Sequence, residues 1–276
     1  MRKGSLLGLA VLIGFVAITL FPIYWMVMTA VMPTDLILSR NPSLLPDLSR
    51  ISFAAFGEIF AQRPFLRWMA NSLFVSVVAT VLSLIVSTLA GYSLSRWNRK
   101  PQQLLGGGLL ISKLVPTSLL LIPLFIIYNQ TGLIDSYAGL VLAHMTIGVP
   151  LATWLMKGFF DRIPRDLEQA AMIDGCSQMQ ALRLVILPLA KPGIAASAVY
   201  LMLTSWSEFI FARTLITSAD RQMLTVGLQS FVGEQMVDWS GLMAAGAVSI
   251  LPAIMLFVVL EPFLASGLTK GALAGT

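Results

Sequence analysis

The sequence predicts an all-α membrane protein with six transmembrane helices, built as one domain over residues 1–276. Three observations lead there. Apolar residues make up 57% of the chain and charged residues 11%, whereas soluble domains carry about 25% charged residues. So few polar groups cannot cover a soluble surface, and the bilayer must be the solvent. Six runs rich in Leu, Val, Ala and Ile approach the ~20 residues that cross a membrane as a helix, and none alternates as a membrane strand does. Between the fourth and fifth runs the chain turns densely charged, from Lys157 to Lys191.

The first run covers about residues 6–31, after Met1-Arg2-Lys3. A signal-peptide core is only about 7–15 residues long, so this run reads as an uncleaved first span. The others cover about 68–95, 104–127, 137–156, 193–213 and 242–264. Segment 32–67 carries turn residues at Asn41-Pro42 and Pro46-Asp47, with apolar Ile51, Phe53, Phe56, Ile59 and Phe60. It is expected as short helices at the outer surface. Pro22, Pro116, Pro123, Pro150 and Pro252 mark kinks whose freed carbonyls neighbouring helices can satisfy. Small residues at Gly106–Gly108 and around Ala244 allow close helix approach.

Basic residues set the orientation. Arg2, Lys3, Arg96, Arg99, Lys100, Lys157, Arg162, Arg165, Arg183, Lys191 and Lys270 fall on one side of a six-span chain. Arg40, Arg50, Arg63, Arg67 and Arg221 fall on the other. The excess marks the cytoplasmic side and puts both termini there.

The same distribution accounts for the net charge of +5. It leaves no basic face for nucleic acid. The single cysteine, Cys176, excludes an internal disulfide, and with a single histidine, His144, it excludes ordinary structural zinc chemistry.

The charged stretch reads as a cytoplasmic loop, residues 157–192. Pro164 can open a helix without losing a bond, and Asp166 and Glu168 then sit in its positive first turn. Gln169, Ala170, Ala171, Met172 and Ile173 continue it, and Asp174-Gly175 breaks it, since glycine reaches left-handed conformations cheaply. A second helix is expected from about Ser177 to Ile186, ended by Leu187-Pro188, with Lys191-Pro192-Gly193 turning back to the membrane. A bent helix pair between spans is a docking surface for a soluble partner that can pass the partner's motion into the bilayer.

This loop resembles the signature of ABC importer permeases, E-A-A, three residues, G, nine residues, I-x-L-P. Here it reads Gln169-Ala170-Ala171, Gly175 and Val185-x-Leu187-Pro188. Gln169 departs from the usual glutamate, with Glu168 adjacent, and Val185 replaces isoleucine. Further stretches are similar to the MalG-like permeases of carbohydrate importers. They are Pro116 with Ile122-Pro123-Leu124, Gly132-Leu133, Tyr137-Ala138-Gly139-Leu140, Trp206-Ser207-Glu208-Phe209, Trp239 with Met243-Ala244-Ala245, and Gly267-Leu268-Thr269-Lys270-Gly271-Ala272. The resemblance covers nearly the whole chain and implies the type I permease fold of ABC importers.

It also implies the partners, in the inner membrane of a bacterial cell. These are a second, MalF-like permease, a homodimeric ATPase subunit, and an extracytoplasmic sugar-binding protein. Glu168, Gln169, Ala170, Ala171, Asp174, Gly175, Leu187 and Pro188 would couple the chain to the ATPase, and Gly267 to Thr276 would form a second contact. ATP and magnesium would sit on the ATPase. This chain carries no Gly-x-x-x-x-Gly-Lys-Ser/Thr loop, no cofactor set and no nucleophile–base pair, so it reads as a transport subunit and not an enzyme.

Ionisable groups inside spans are costly, and Glu208 in the fifth needs an account, either a structural pair or a path-lining position. Aromatic rings stack on sugars, and amides or carboxylates bond hydroxyls. Asn71, Tyr128, Asn129, Trp206, Ser207 and Glu208 are therefore the candidate substrate-path residues. His144 reads as a packing histidine with its polar atoms satisfied. The alternatives are an ABC permease for amino acids or peptides and a stand-alone secondary transporter. The second would favour acidic relays or inverted repeats, which the sequence does not display.

Overall fold

The computed structural model describes residues 3–39, 45, 47–97, 99–233 and 236–273, with the side chains of 3–7, 34 and 265–273 excepted. Arg2, the turn at Asn41-Pro42, Pro46, residues 274–276 and the side chains of Gly267 to Ala272 lie outside the described residues.

In chain order the helices are α1 (Lys3–Val31), α2 (Thr34–Ile37), α3 (Ala54–Ala61), α4 (Phe65–Arg96), α5 (Lys100–Ser112), α6 (Thr117–Thr131), α7 (Tyr137–Asp161), α8 (Arg165–Ile173), α9 (Gln178–Ala181), α10 (Leu187–Leu189), α11 (Lys191–Trp206), α12 (Ile210–Leu215), α13 (Leu224–Gln229), α14 (Trp239–Ser249) and α15 (Leu251–Leu273). A π-turn over Leu182–Ile186 joins α9 to α10. Among the described residues the only extended pairing is a single bridge between Val232 and Val237.

Among the described residues, four elements are long and apolar enough to cross a bilayer: α1 from Gly8, α4, α7 and the run Trp239–Leu264. Six spans are reached when two bent helix pairs each count as one. Short helices are present in segment 32–67, as α2 and α3. The carboxylate of Asp47 accepts from the Ser49 N–H over 3.1 Å and so closes the turn before α3.

Two expected spans are interrupted. The run 104–127 is not one rod, because α5 and α6 meet at 108°. Pro116 has no N–H to donate, and its ring pushes Val115 away from helical backbone. Lys113 adds an ammonium to an apolar run, and it donates to the Ile147 carbonyl of α7 over 2.6 Å. The run 193–213 stops at Trp206 and restarts as α12 at Ile210. Glu208 favours that break. Its carboxylate accepts the N–H groups of Phe211 and Ala212 over 2.9 and 3.0 Å, an anionic cap on the new helix.

The chain packs as two compact units, residues 1–69 with 226–251, and 70–225 with 252–276. In the first, α14 packs on α1 and α3, and the Arg63 guanidinium lies 4.2 Å from the centre of the Phe231 ring. In the second, α7 is central and carries the buried side chains of Leu140, Ala143, Ala152, Met156 and Phe160. Its backbone runs against α4 at Gly91, where an added Cβ would stand 2.8 Å from Met156 Cβ and 2.9 Å from Lys157 N. Where α4 and α7 end, Tyr92, Met156, Phe160, Leu182, Ile186 and Ala190 form one buried apolar cluster.

Candidate functional site

The inner loop is built from the bend outward. Helix α8 starts after Pro164. It ends in paired hydrogen bonds, from Cys176 N–H to the Ala171 carbonyl over 3.0 Å and from Gly175 N–H to the Met172 carbonyl over 3.1 Å. This is a Schellman close, which places the residue after the cap in left-handed backbone. Gly175 holds that position at φ +92°. Ser177 and Gln180 then form a capping box that opens α9.

Leu187-Pro188 does not end the second helix, contrary to expectation. The helix widens over Leu182–Ile186, where Leu187 N–H reaches back five residues to the Leu182 carbonyl, and it continues through Pro188 to Leu189. The wider turn takes up the position where the missing proline N–H would interrupt an ordinary ladder. The reversal comes at Ala190, where Gln178–Leu189 and α11 meet at 78°.

Helical spacing divides the loop residues between two faces. Gln169, Ala170, Asp174, Gly175 and Pro188 are exposed, Ala171 is buried, and Leu187 is half-buried against the inner cluster. Exposed apolar side chains extend the outer face at Leu167, Met172, Met179 and Leu184, and most of all at Ile173, which is 86% exposed.

Glu168 points the other way, and only 5% of the residue is exposed. Its Oε2 accepts from Arg96 Nε over 2.8 Å, and its Oε1 accepts from the Tyr92 hydroxyl. Arg96 also donates to the carbonyls of Phe160 and Ile163 over 3.1 and 3.3 Å. Arg165 donates to the Ser95 carbonyl over 2.9 Å. From sequence, Arg96 stands only as an orientation charge and Tyr92 has no assigned role. Their spacing was the available signal. They lie four residues apart on the inner turn of α4, on one face of the helix.

The path candidates separate into distinct places. Asn71 is a buried bracket near the N-terminal end of α4. Its Nδ2 donates to the carbonyls of Asp220 and Gln222 over 2.9 and 3.0 Å, and its Oδ1 accepts from the Tyr137 hydroxyl over 2.8 Å. Tyr128 is buried and borders a separate cavity with Ser112 and Thr146, while Asn129 is exposed. Trp206 is half-buried, and Ser207 is exposed with its hydroxyl bonded to the Leu203 carbonyl over 2.8 Å.

Trp206 and Glu208 meet a buried polar chain. His144 Nδ1 is 2.6 Å from Ser205 Oγ, which donates to Ser76 Oγ over 3.2 Å, and His144 Nε2 is 3.4 Å from Glu208 Oε2. Ser76 and Ser205 were absent from the sequence reading, because a serine in an apolar run carries no signal of its partner.

In the second unit, Asp135 fastens the α6–α7 connection to the segment after α12. Its carboxylate accepts from the Ser218 hydroxyl, from the N–H groups of Ser218 and Thr217 over 2.9 and 3.0 Å, and from Arg221 over 3.0 Å. The Ser218 hydrogen bond is the leading reason that its pKa is lowered to about 2.

Long apolar helices joined by a bent polar loop define a membrane protein, and comparison gives the family. The chain belongs to the binding-protein-dependent transport system inner membrane components, whose family model matches residues 83–270. It is 33% identical over 276 residues to the inner membrane ABC transporter permease protein YcjP of Escherichia coli (strain K12), covering 99% of this chain and 97% of that one. It is 33% identical to the diacetylchitobiose uptake system permease protein DasC of Streptomyces coelicolor, covering 92% of each chain. A crystal structure of a bacterial ABC transporter that imports the acidic polysaccharide alginate shares the fold. It has a TM-score of 0.79 and 24% identity, over 95% of this chain and 98% of that one.

Proposed function

We propose that this chain is the permease subunit of an ATP-driven, binding-protein-dependent importer for a carbohydrate or glycoside. It acts as one transmembrane domain over residues 1–276, with both termini in the cytoplasm. It forms the translocation path with a second, MalF-like permease, receives cargo from an extracytoplasmic sugar-binding protein, and takes its energy from a paired ATPase that holds ATP and magnesium. The coupling loop is 157–192, with Gln169, Ala170, Asp174, Gly175 and Pro188 presented to the ATPase. Trp206, Ser207 and Asn129 face the path, while Asn71, Tyr128 and Glu208 shape its walls. The diacetylchitobiose uptake of the DasC relative supports the carbohydrate class.

One observation carries this reading. The outward face of α8 exposes apolar Leu167, Ala170, Met172 and Ile173 among polar Asp166 and Gln169, while its opposite face is fixed by a buried ion pair. An apolar patch on a rigid polar-framed loop marks a protein contact. Cys176, the single cysteine, lies beside that face and gives a native crosslinking handle. A thiol-directed photocrosslinker on Cys176 in inverted membrane vesicles is expected to capture an ATPase subunit, and the purified chain alone is expected to hydrolyse no ATP. Labelling of Cys176 only from the outside, or hydrolysis by the isolated chain, overturns the reading.

A further inference from the structure

We propose that Tyr92, Arg96 and Glu168 are positioning residues that fasten the inner loop to α4 and α7, so that the loop and the inner half of α4 move as one body. This inference rests on the function proposed above and assigns Glu168 a role other than partner contact. Both oxygens of Glu168 are occupied inside the chain, one by Arg96 and one by Tyr92, and its side chain is 7% exposed. No charge is left there for a partner to recognise.

Arg96 is the hub. Its planar fork binds α8 through Glu168 and the end of α7 through the carbonyls of Phe160 and Ile163. A guanidinium holds several acceptors in fixed directions, which an ammonium cannot do. Such a joint resists sliding as well as separation. One turn away, Gly91 brings the backbones of α4 and α7 into contact, which leaves no soft layer between them. A push on Ile173 or Ala170 therefore crosses a single helix diameter before it meets Glu168 and the membrane helices.

Buried ion pairs are weak evidence for stability, since well-packed apolar replacements are often neutral or better. That property separates mechanical from structural roles. Arg96→Met with Glu168→Met removes the directional joint without stranding a buried charge.

The test uses the whole complex, co-expressed with its ATPase and second permease and placed in nanodiscs. Spin labels sit on native Cys176 and on Leu89→Cys, an exposed site in α4. Distances are measured without nucleotide and after trapping with ATP and vanadate. The wild-type distance is expected to stay constant, whereas in the double variant it shifts by up to a helical turn, about 5 Å. A wild-type distance that shifts, or a double variant that stays constant, overturns the joint while leaving the proposed function standing. If no ATPase copurifies with the wild-type chain, both fall. Where the double variant does not assemble, Arg96→Lys keeps the charge but not the fork, and the same shift or its absence decides.

Discussion

Glu208 Oε2 lies 3.4 Å from His144 Nε2, with both side chains buried, at the point where the fifth span breaks. The pair joins α7 to the start of α12, and the Glu208 carboxylate also accepts two backbone N–H groups of α12. A group that looked like a candidate sugar ligand is thus occupied by the fold.

Glu208→Gln keeps the size but loses the anionic cap and the charge facing His144. Helix caps and charge-assisted hydrogen bonds of this kind are each worth about 1–3 kcal/mol. Thermal unfolding of the purified chain in detergent is expected to show a destabilisation of that order. A variant as stable as wild type that has lost only uptake would assign Glu208 to the path.

Asn71→Ala removes two donated bonds to the loop carbonyls of Asp220 and Gln222 and one accepted from Tyr137. Loss of these part-buried hydrogen bonds is expected to cost roughly 1–3 kcal/mol in total. Denaturant or heat stability falls accordingly, and uptake falls with the amount of folded protein. A raised KM for cargo in an equally stable variant would show direct sugar contact instead.

Gly175→Val places a β-branched residue at φ +92°. Left-handed backbone costs an ordinary residue about 1–2 kcal/mol, and a branched one more. The bend is expected to open, with membrane insertion retained and ATP-driven uptake in vesicles reduced at least several-fold. The same outcome is expected for Gly175→Pro, and for Asp174→Lys through its reversed charge on the exposed face. Full uptake by all three would remove the bend from the coupling route.

Asp135 gives a pH dependence at the α6–α7 connection. Its folded pKa is lowered to about 2 from 3.8, led by the Ser218 hydrogen bond. The native state therefore holds its proton less tightly than the unfolded chain. The stabilisation is complete above pH 3.8 and is lost as pH falls toward 2. Hydrogen exchange at the Thr217 and Ser218 amides is expected to speed up over that window in the wild type. In Asp135→Asn it is expected to be fast and flat with pH once intrinsic exchange is divided out. A wild-type profile equally flat would refute the latch.

Much of this protein is readable from its residues one run at a time. Solvent choice, helix type, the first, second, fourth and sixth spans and the Asp174-Gly175 bend depend on local composition and on glycine's backbone freedom. Those properties act over a few residues and leave a local mark. What the tertiary structure decided is which side chains meet. Glu168 and Gln169 are adjacent in a charged helical stretch, yet one is buried against α4 and the other is exposed. Lys113 and Glu208 are charges within apolar runs. They find an Ile147 carbonyl and a His144 imidazole on α7, and the chain breaks beside each. A charge in a low-dielectric interior must find a partner, and sequence shows the need but not the partner's address.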